Sequence, residues 1–123
     1  MALPLEGVAV LVLDTEAKSG PTVVRALGRA GARVIAAAST AKPSPAQRSR
    51  HAAASVVHPH ALGDPEGLID WLEFAIEELR PDCVVPQTEY TIRVLDASRD
   101  RHEDRTAKAL PPRRGGRSCT RSR

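Results

Sequence analysis

Residues 8–13 read Val-Ala-Val-Leu-Val-Leu, an unbroken apolar run rich in β-branched side chains. A run without alternation has both faces covered, as in an inner strand of a parallel sheet. Asp14 ends it. Ser19-Gly20-Pro21 then offers a helix start, with Ser19 or Gly20 as N-cap and Pro21 at the first helical position. Buried strand, polar turn and helix N-terminus form the first half of a doubly wound α/β unit. Ligands of such sheets sit outside the carboxyl ends of the strands, so the turn at residues 14–20 says where a ligand could bind.

The rest of the chain continues the pattern. Val23, Ala26, Leu27 and Ala30 share a face at helical spacing over residues 21–30, and Gly31 suits the position just past a helix end. Residues 33–38 supply a second strand, which completes a βαβ unit of about thirty residues. Pro43 and Pro45 keep residues 39–45 in a loop. Residues 47–54 have room for one or two helical turns. Residues 55–58 read as a short third strand, stopped by Pro59. Asp64, Pro65 and Glu66 open the best-marked helix, with Leu68, Ile69, Leu72, Ala75, Ile76 and Leu79 as its apolar stripe and Pro81 as its stop. Residues 83–86 form a fourth strand, with Gln87-Thr88-Glu89 as its exit turn. Residues 90–97 form a further helix, with Thr88 as its cap and Ile92 and Leu95 facing inward. The predicted fold is an α/β open parallel sheet of about four strands with helices on both faces.

With 123 residues the chain is one domain at most. Trp71, Phe74 and Tyr90 are its only aromatic residues, so the core is built from Val, Leu, Ile and Ala. The net charge of +3 is unevenly spread. Residues 1–98 hold 9 Lys and Arg against 12 Asp and Glu, whereas residues 99–123 hold 9 against 3. The basic excess lies in the tail, which argues against a nucleic-acid surface on the body. Apolar residues nearly vanish after Ser98, so residues 99–123 read as a disordered basic extension. They read equally as a non-native end, such as an out-of-frame translation of GC-rich coding sequence. Cys83 lies in an apolar run and reads as a buried small hydrophobe. Cys119 lies in the tail and no CxxC occurs, which suits a reducing cytoplasm. The N-terminal apolar run is too short, and lacks the basic flank, for a signal peptide or a membrane span.

Two turns are candidates for chemistry. In the first, backbone N–H groups at the helix N-terminus could hold a ligand, with the Ser19 and Thr22 hydroxyls beside them. The competing reading is a plain helix cap. Asp14 and Glu16 would repel a bare phosphate, and neither GxGxxG nor GxxxxGK[ST] occurs, so a dinucleotide site and a P-loop are unsupported. In the second, Gln87, Thr88 and Glu89 emerge beside Asp14 if the first and fourth strands are neighbours. The competing reading is an N-cap at Thr88 with solvated neighbours. His51, His58 and His60 cluster in sequence but lack a nearby carboxylate or cysteine, so they read as a solvated loop and not a metal site. No nucleophile set can be assembled from spacing.

The strand running into Leu13-Asp14-Thr15-Glu16 and the helix reading Val-Val-Arg-Ala-Leu-Gly-Arg-Ala-Gly at residues 23–31 resemble the N-terminal segment of ATP-grasp enzymes. Ser49-Arg50-His51, the Asp64-Pro65 helix and residues 81–89, Pro-Asp-Cys-Val-Val-Pro-Gln-Thr-Glu, are similar too. The resemblance is to the carboxylate–amine ligase branch and covers about residues 6–97. It implies a Rossmann-like pre-ATP-grasp domain at residues 1–98, packed on a larger body that holds ATP and magnesium. Such enzymes join a carboxylate to an amine through an acyl phosphate. The nucleotide-binding lysines, magnesium-binding carboxylates and catalytic arginine would all lie downstream of this chain, which would be truncated and inactive alone. What carries over is substrate-side contact by Asp14, Thr15, Glu16, Ser19, Gly20, Gln87, Thr88 and Glu89, with no catalytic or metal-binding residue. The small carboxylate or amine would be the full-length protein's partner, with no membrane partner and no specific nucleic acid. Self-association through an unpaired sheet edge is a further expectation. The rival readings are a stand-alone Rossmann-like module for a small polar ligand and a regulatory protein whose basic tail binds an acidic partner.

Overall fold

The computed structural model describes residues 3–40, 49–98 and 106–108. The apolar run becomes β1 (Ala9–Val12), and every residue in it is buried. Helix α1 (Gly20–Arg29) follows, with Pro21 in its first turn. Gly31 lies just past its C-cap Ala30, with a φ of 99° that is open to glycine at little cost. Strand β2 (Arg33–Ala38) is buried from its second residue onward. Strand β3 (Ala52–Val57) is mostly exposed, as befits the edge of the sheet.

Helix α2 (Pro65–Leu79) begins where its signals put it. The Asp64 carboxylate accepts the Gly67 N–H at 3.0 Å, and Arg80, in the left-handed region at φ 48°, closes the far end. Strand β4 (Cys83–Val85) and helix α3 (Glu89–Ala97) complete the body, with Thr88 as the helix cap.

The sheet is wholly parallel, in the order β3-β2-β1-β4, with a two-residue strand β5 (Ala107–Lys108) beyond β4. Alternate residues of the inner strands serve two cores. Val10, Val12, Val34 and Ala36 pack under Val24 of α1. Leu11, Leu13, Ile35, Ala37 and Val84 pack under Leu72, Ala75 and Ile76 of α2 and Leu95 of α3. The open parallel sheet with helices on both faces is therefore present as the sequence reading has it.

Three local readings change. Residues 52–54 belong to β3 and not to a helical turn, because pairing with β2 outweighs the helix preference of their alanines. The part of that reading at residues 47–48 lies outside the described residues. Cys83 is half-buried and not sealed in the core. Ala107 and Lys108, which the sequence reading gives to a tail, join the sheet as β5. Thr106 is buried and its hydroxyl donates to the Pro81 carbonyl at 2.8 Å. The remainder of residues 99–123, including the expected disordered or non-native tail, lies outside the described residues.

Candidate ligand crevice

The strand order reverses direction at β1. The chain runs outward to β2 and β3, then crosses back to β4 on the other side. Outside the carboxyl ends of β1 and β4 lies the switch point, the place where sheets of this kind hold their ligands. The Leu13 N–H donates to the Val85 carbonyl at 2.8 Å, so the two strands stay paired up to the mouth.

Asp14 and Thr15 leave β1 buried, at 4% and 1% exposure. Asp14 takes a φ of 55°, a region that Asp tolerates better than most residues because its short polar side chain bonds locally. Its partners hold it there. Its N–H donates to His58 Nε2 at 3.1 Å, and its Oδ2 accepts from the Thr88 hydroxyl at 3.3 Å. His58 Nδ1 is 2.7 Å from the Pro59 carbonyl, which assigns the ring proton to Nδ1 and leaves Nε2 as an acceptor. The ring also tilts against Trp71, with centroids 5.6 Å apart.

The remainder of the first turn faces two ways. The Thr15 N–H and hydroxyl both donate to the Ala37 carbonyl, at 2.9 and 3.0 Å. Glu16 reaches across to the end of β2, where its carboxylate accepts the Ser39 hydroxyl and the Ser39 N–H, the latter at 3.2 Å. Burial pushes the Glu16 carboxyl up, but the Ser39 hydroxyl, its own backbone N–H and the Ser39 N–H outweigh this and hold it below its ordinary value. Ser19 makes no side-chain cap to α1, and its hydroxyl donates to Gln87 Oε1 instead. Gly20 is buried because α1 starts hard against the turn, and a Cβ there would collide with the Thr15 carbonyl.

From the second turn, the Thr88 hydroxyl oxygen also accepts the Thr91 N–H at 3.3 Å. The buried Gln87 Nε2 has no hydrogen-bond partner among the described residues. Glu89 points along α3 to Arg93 at 2.8 Å, on the exposed helix surface. The fold thus brings Asp14, Ser19, Gln87 and Thr88 together, ties Thr15 and Glu16 to β2, uses Gly20 for close packing and turns Glu89 away.

His58 is the residue that sequence reasoning missed. Read as part of a solvated loop, it is 2% exposed and braces the first turn. The available signal was its place at the carboxyl end of a strand, next to a proline that fixes the chain direction. His60 is exposed and His51 half-buried, and among the described residues no group of His, Cys, Asp and Glu could hold a metal ion.

A doubly wound, Rossmann-type sheet with polar side chains gathered at its switch point is the class of protein these features define. Neither a protein-family model nor a characterised protein sequence matches the chain. Solved structures do. A short-chain dehydrogenase/reductase from Serratia marcescens superposes with a TM-score of 0.59 at 14% identity, over 85% of this chain and 53% of that one. A doubly substituted form of the same enzyme gives 0.58 at 13% identity over the same shares. A short-chain dehydrogenase from Leptospira borgpetersenii with bound NAD+ gives 0.48 at 15% identity, over 79% of this chain and 42% of that one. The chain spans about half the length of the Serratia enzyme. At these identities the likeness is one of fold.

These neighbours correct the ATP-grasp reading. The structural relatives are dehydrogenases and not carboxylate–amine ligases, so the ligase-domain assignment falls, and with it the implied ATP and magnesium. The physical reason lies in the quoted segments. Asp64-Pro65 starts a helix, Thr88 caps one, and the strand into Asp14 is the sheet's centre. Each motif reports a doubly wound fold, and none reports a ligase.

Proposed function

We propose that the chain is a Rossmann-like module that binds a small polar ligand in the crevice between the β1 and β4 turns. The observation that carries this reading is the pair of side-chain hydrogen bonds across the switch point, Thr88 to Asp14 and Ser19 to Gln87. They gather hydroxyl, amide and carboxylate groups where parallel sheets hold their ligands. Asp14, Ser19, Gln87 and Thr88 face the ligand, and Thr15, Glu16 and Gly20 shape the turn. No helix among the described residues is long and apolar enough to cross a membrane. A cytoplasmic location accompanies the reading, because two cysteines without a paired framework suit a reducing compartment.

The test is an NMR titration of the chain against nucleosides, nucleotides, NAD+, sugars and amino acids. A binding compound is expected to shift the amides of residues 14–20 and 87–89 first. Binding that maps to the opposite end of the sheet, around the open 430 Å³ cavity lined by Ile76, Arg80 and Asp82, would overturn the reading.

A further inference from the structure

His58 stands just past β3, yet it serves the turn that leaves β1, two strands away. Its backbone N–H donates to the Ala38 carbonyl at 2.9 Å, and its buried ring reaches past β2 to Asp14. Nδ1 faces the Pro59 carbonyl at 2.7 Å, and Nε2 accepts the Asp14 N–H at 3.1 Å. Only the neutral ring can hold both bonds, because a charged imidazole has two donors and no acceptor.

The site also has a partner ready for a second proton. Asp14 Oδ1 lies 3.5 Å from the same Nε2, and both side chains are buried. Beside the neutral ring these two atoms are acceptors with no bond between them. A proton on Nε2 exchanges the partners. The Asp14 N–H then meets a donor and is released, while the new N–H on the ring is met by Oδ1. The Thr88 hydroxyl stays on the other carboxylate oxygen, Oδ2, so the tie to the β4 turn survives. A buried charge needs such a partner.

The groups around the ring are of few kinds. The first turn brings Asp14 and Glu16, and a positive ring favours the ionised Glu16. Helix α2 brings the uncharged Trp71 ring, β2 the Ala38 carbonyl, and the β4 turn the Thr88 hydroxyl through Asp14. His60, two residues on, is exposed and accepts the Leu62 N–H.

We infer that His58 is a proton-operated latch on the first turn, closed when the ring is neutral and open when Nε2 is protonated. Asp14 sits at φ 55°, a region that a non-glycine residue occupies at a cost unless its surroundings hold it there. Opening removes one of those holds. Thr15 is fastened separately, by its N–H and hydroxyl to the Ala37 carbonyl, so the change is confined to the Asp14 end of the turn. Histidine is the side chain that ordinarily changes charge between pH 5 and 8, and the latch acts with or without a ligand.

The test follows the 15N-labelled chain by NMR from pH 8 to pH 5. The assigned His58 ring nitrogens report the proton, and the Asp14 and Thr15 amides report the turn. At pH 8 the ring is expected to be neutral with its proton on Nδ1. On acidification the Asp14 amide should move on the same curve as Nε2. Its solvent exchange should rise about tenfold relative to that of Thr15, the loss of one hydrogen bond. His58→Gln retains an acceptor and cannot titrate, so its Asp14 amide should stay still over this range. In Asp14→Asn the charged ring loses its carboxylate, and the His58 curve should move to lower pH. A ring already charged at pH 8, or still neutral at pH 5, overturns the inference. So does an Asp14 transition that persists in His58→Gln, which would assign it to a carboxylate. Loss of the Thr15 amide together with that of Asp14 overturns it too, because the opening would then be unfolding and not a latch.

Discussion

Asp14 and His58 show how much a single backbone hydrogen bond can organise. The Asp14 N–H is buried, and His58 Nε2 is its acceptor. His58→Phe keeps a ring against Trp71 and removes that acceptor. A buried N–H left without a partner costs about 1–3 kcal/mol. Urea unfolding of His58→Phe should show a loss of that size, and an unchanged midpoint would mean that the turn is held some other way. Glu16 makes a second prediction at this scale. Its folded carboxyl sits below its ordinary value, so its contribution to stability is complete above the unfolded value and fades as pH falls through the folded one. Thermal melts of wild type and Glu16→Gln should differ at neutral pH and converge in acid. A difference that persists in strong acid would show that charge is not its source.

The elements are delimited by short-range chemistry. Helix α2 carries an Asp cap, a proline in its first turn and an acidic residue beside it, at consecutive positions 64–66. Its start was therefore legible without tertiary information. Asp64→Ala removes the acceptor of the Gly67 N–H and should cost about 1 kcal/mol in equilibrium unfolding. An effect near zero would mean that water replaces the cap at this exposed end. Strand β3 is the opposite case. Its Ala-Ala-Ala start has no strand preference of its own, and only pairing with β2 recruits it. Ser19 is instructive in the same way. It stands at the helix N-cap, yet its hydroxyl turns to Gln87 across the sheet mouth and not back into α1.

For the whole molecule, the crossover from β3 to β4 decides where a site can exist. Placing β4 against β1 brings Ser19 and Gln87 together although 68 positions separate them in sequence. The apolar period, the caps and the proline stops are local in origin. They determined the α/β class, the two-sided helical cover and the positions of β1, β2, β4 and the three helices to within a residue or two. The same local signals led to a wrong family, because every doubly wound sheet needs a buried first strand, a capped turn and a crossover helix, whatever it binds. What only the tertiary structure decided is long-range: His58 buried beneath the first turn, Glu16 spanning to Ser39, Glu89 facing away from the crevice and Thr106 tucked against Pro81. Burial and partnership of a polar side chain depend on which strands become neighbours. That pairing is set by the packing of the whole sheet, and no window of neighbouring residues contains it.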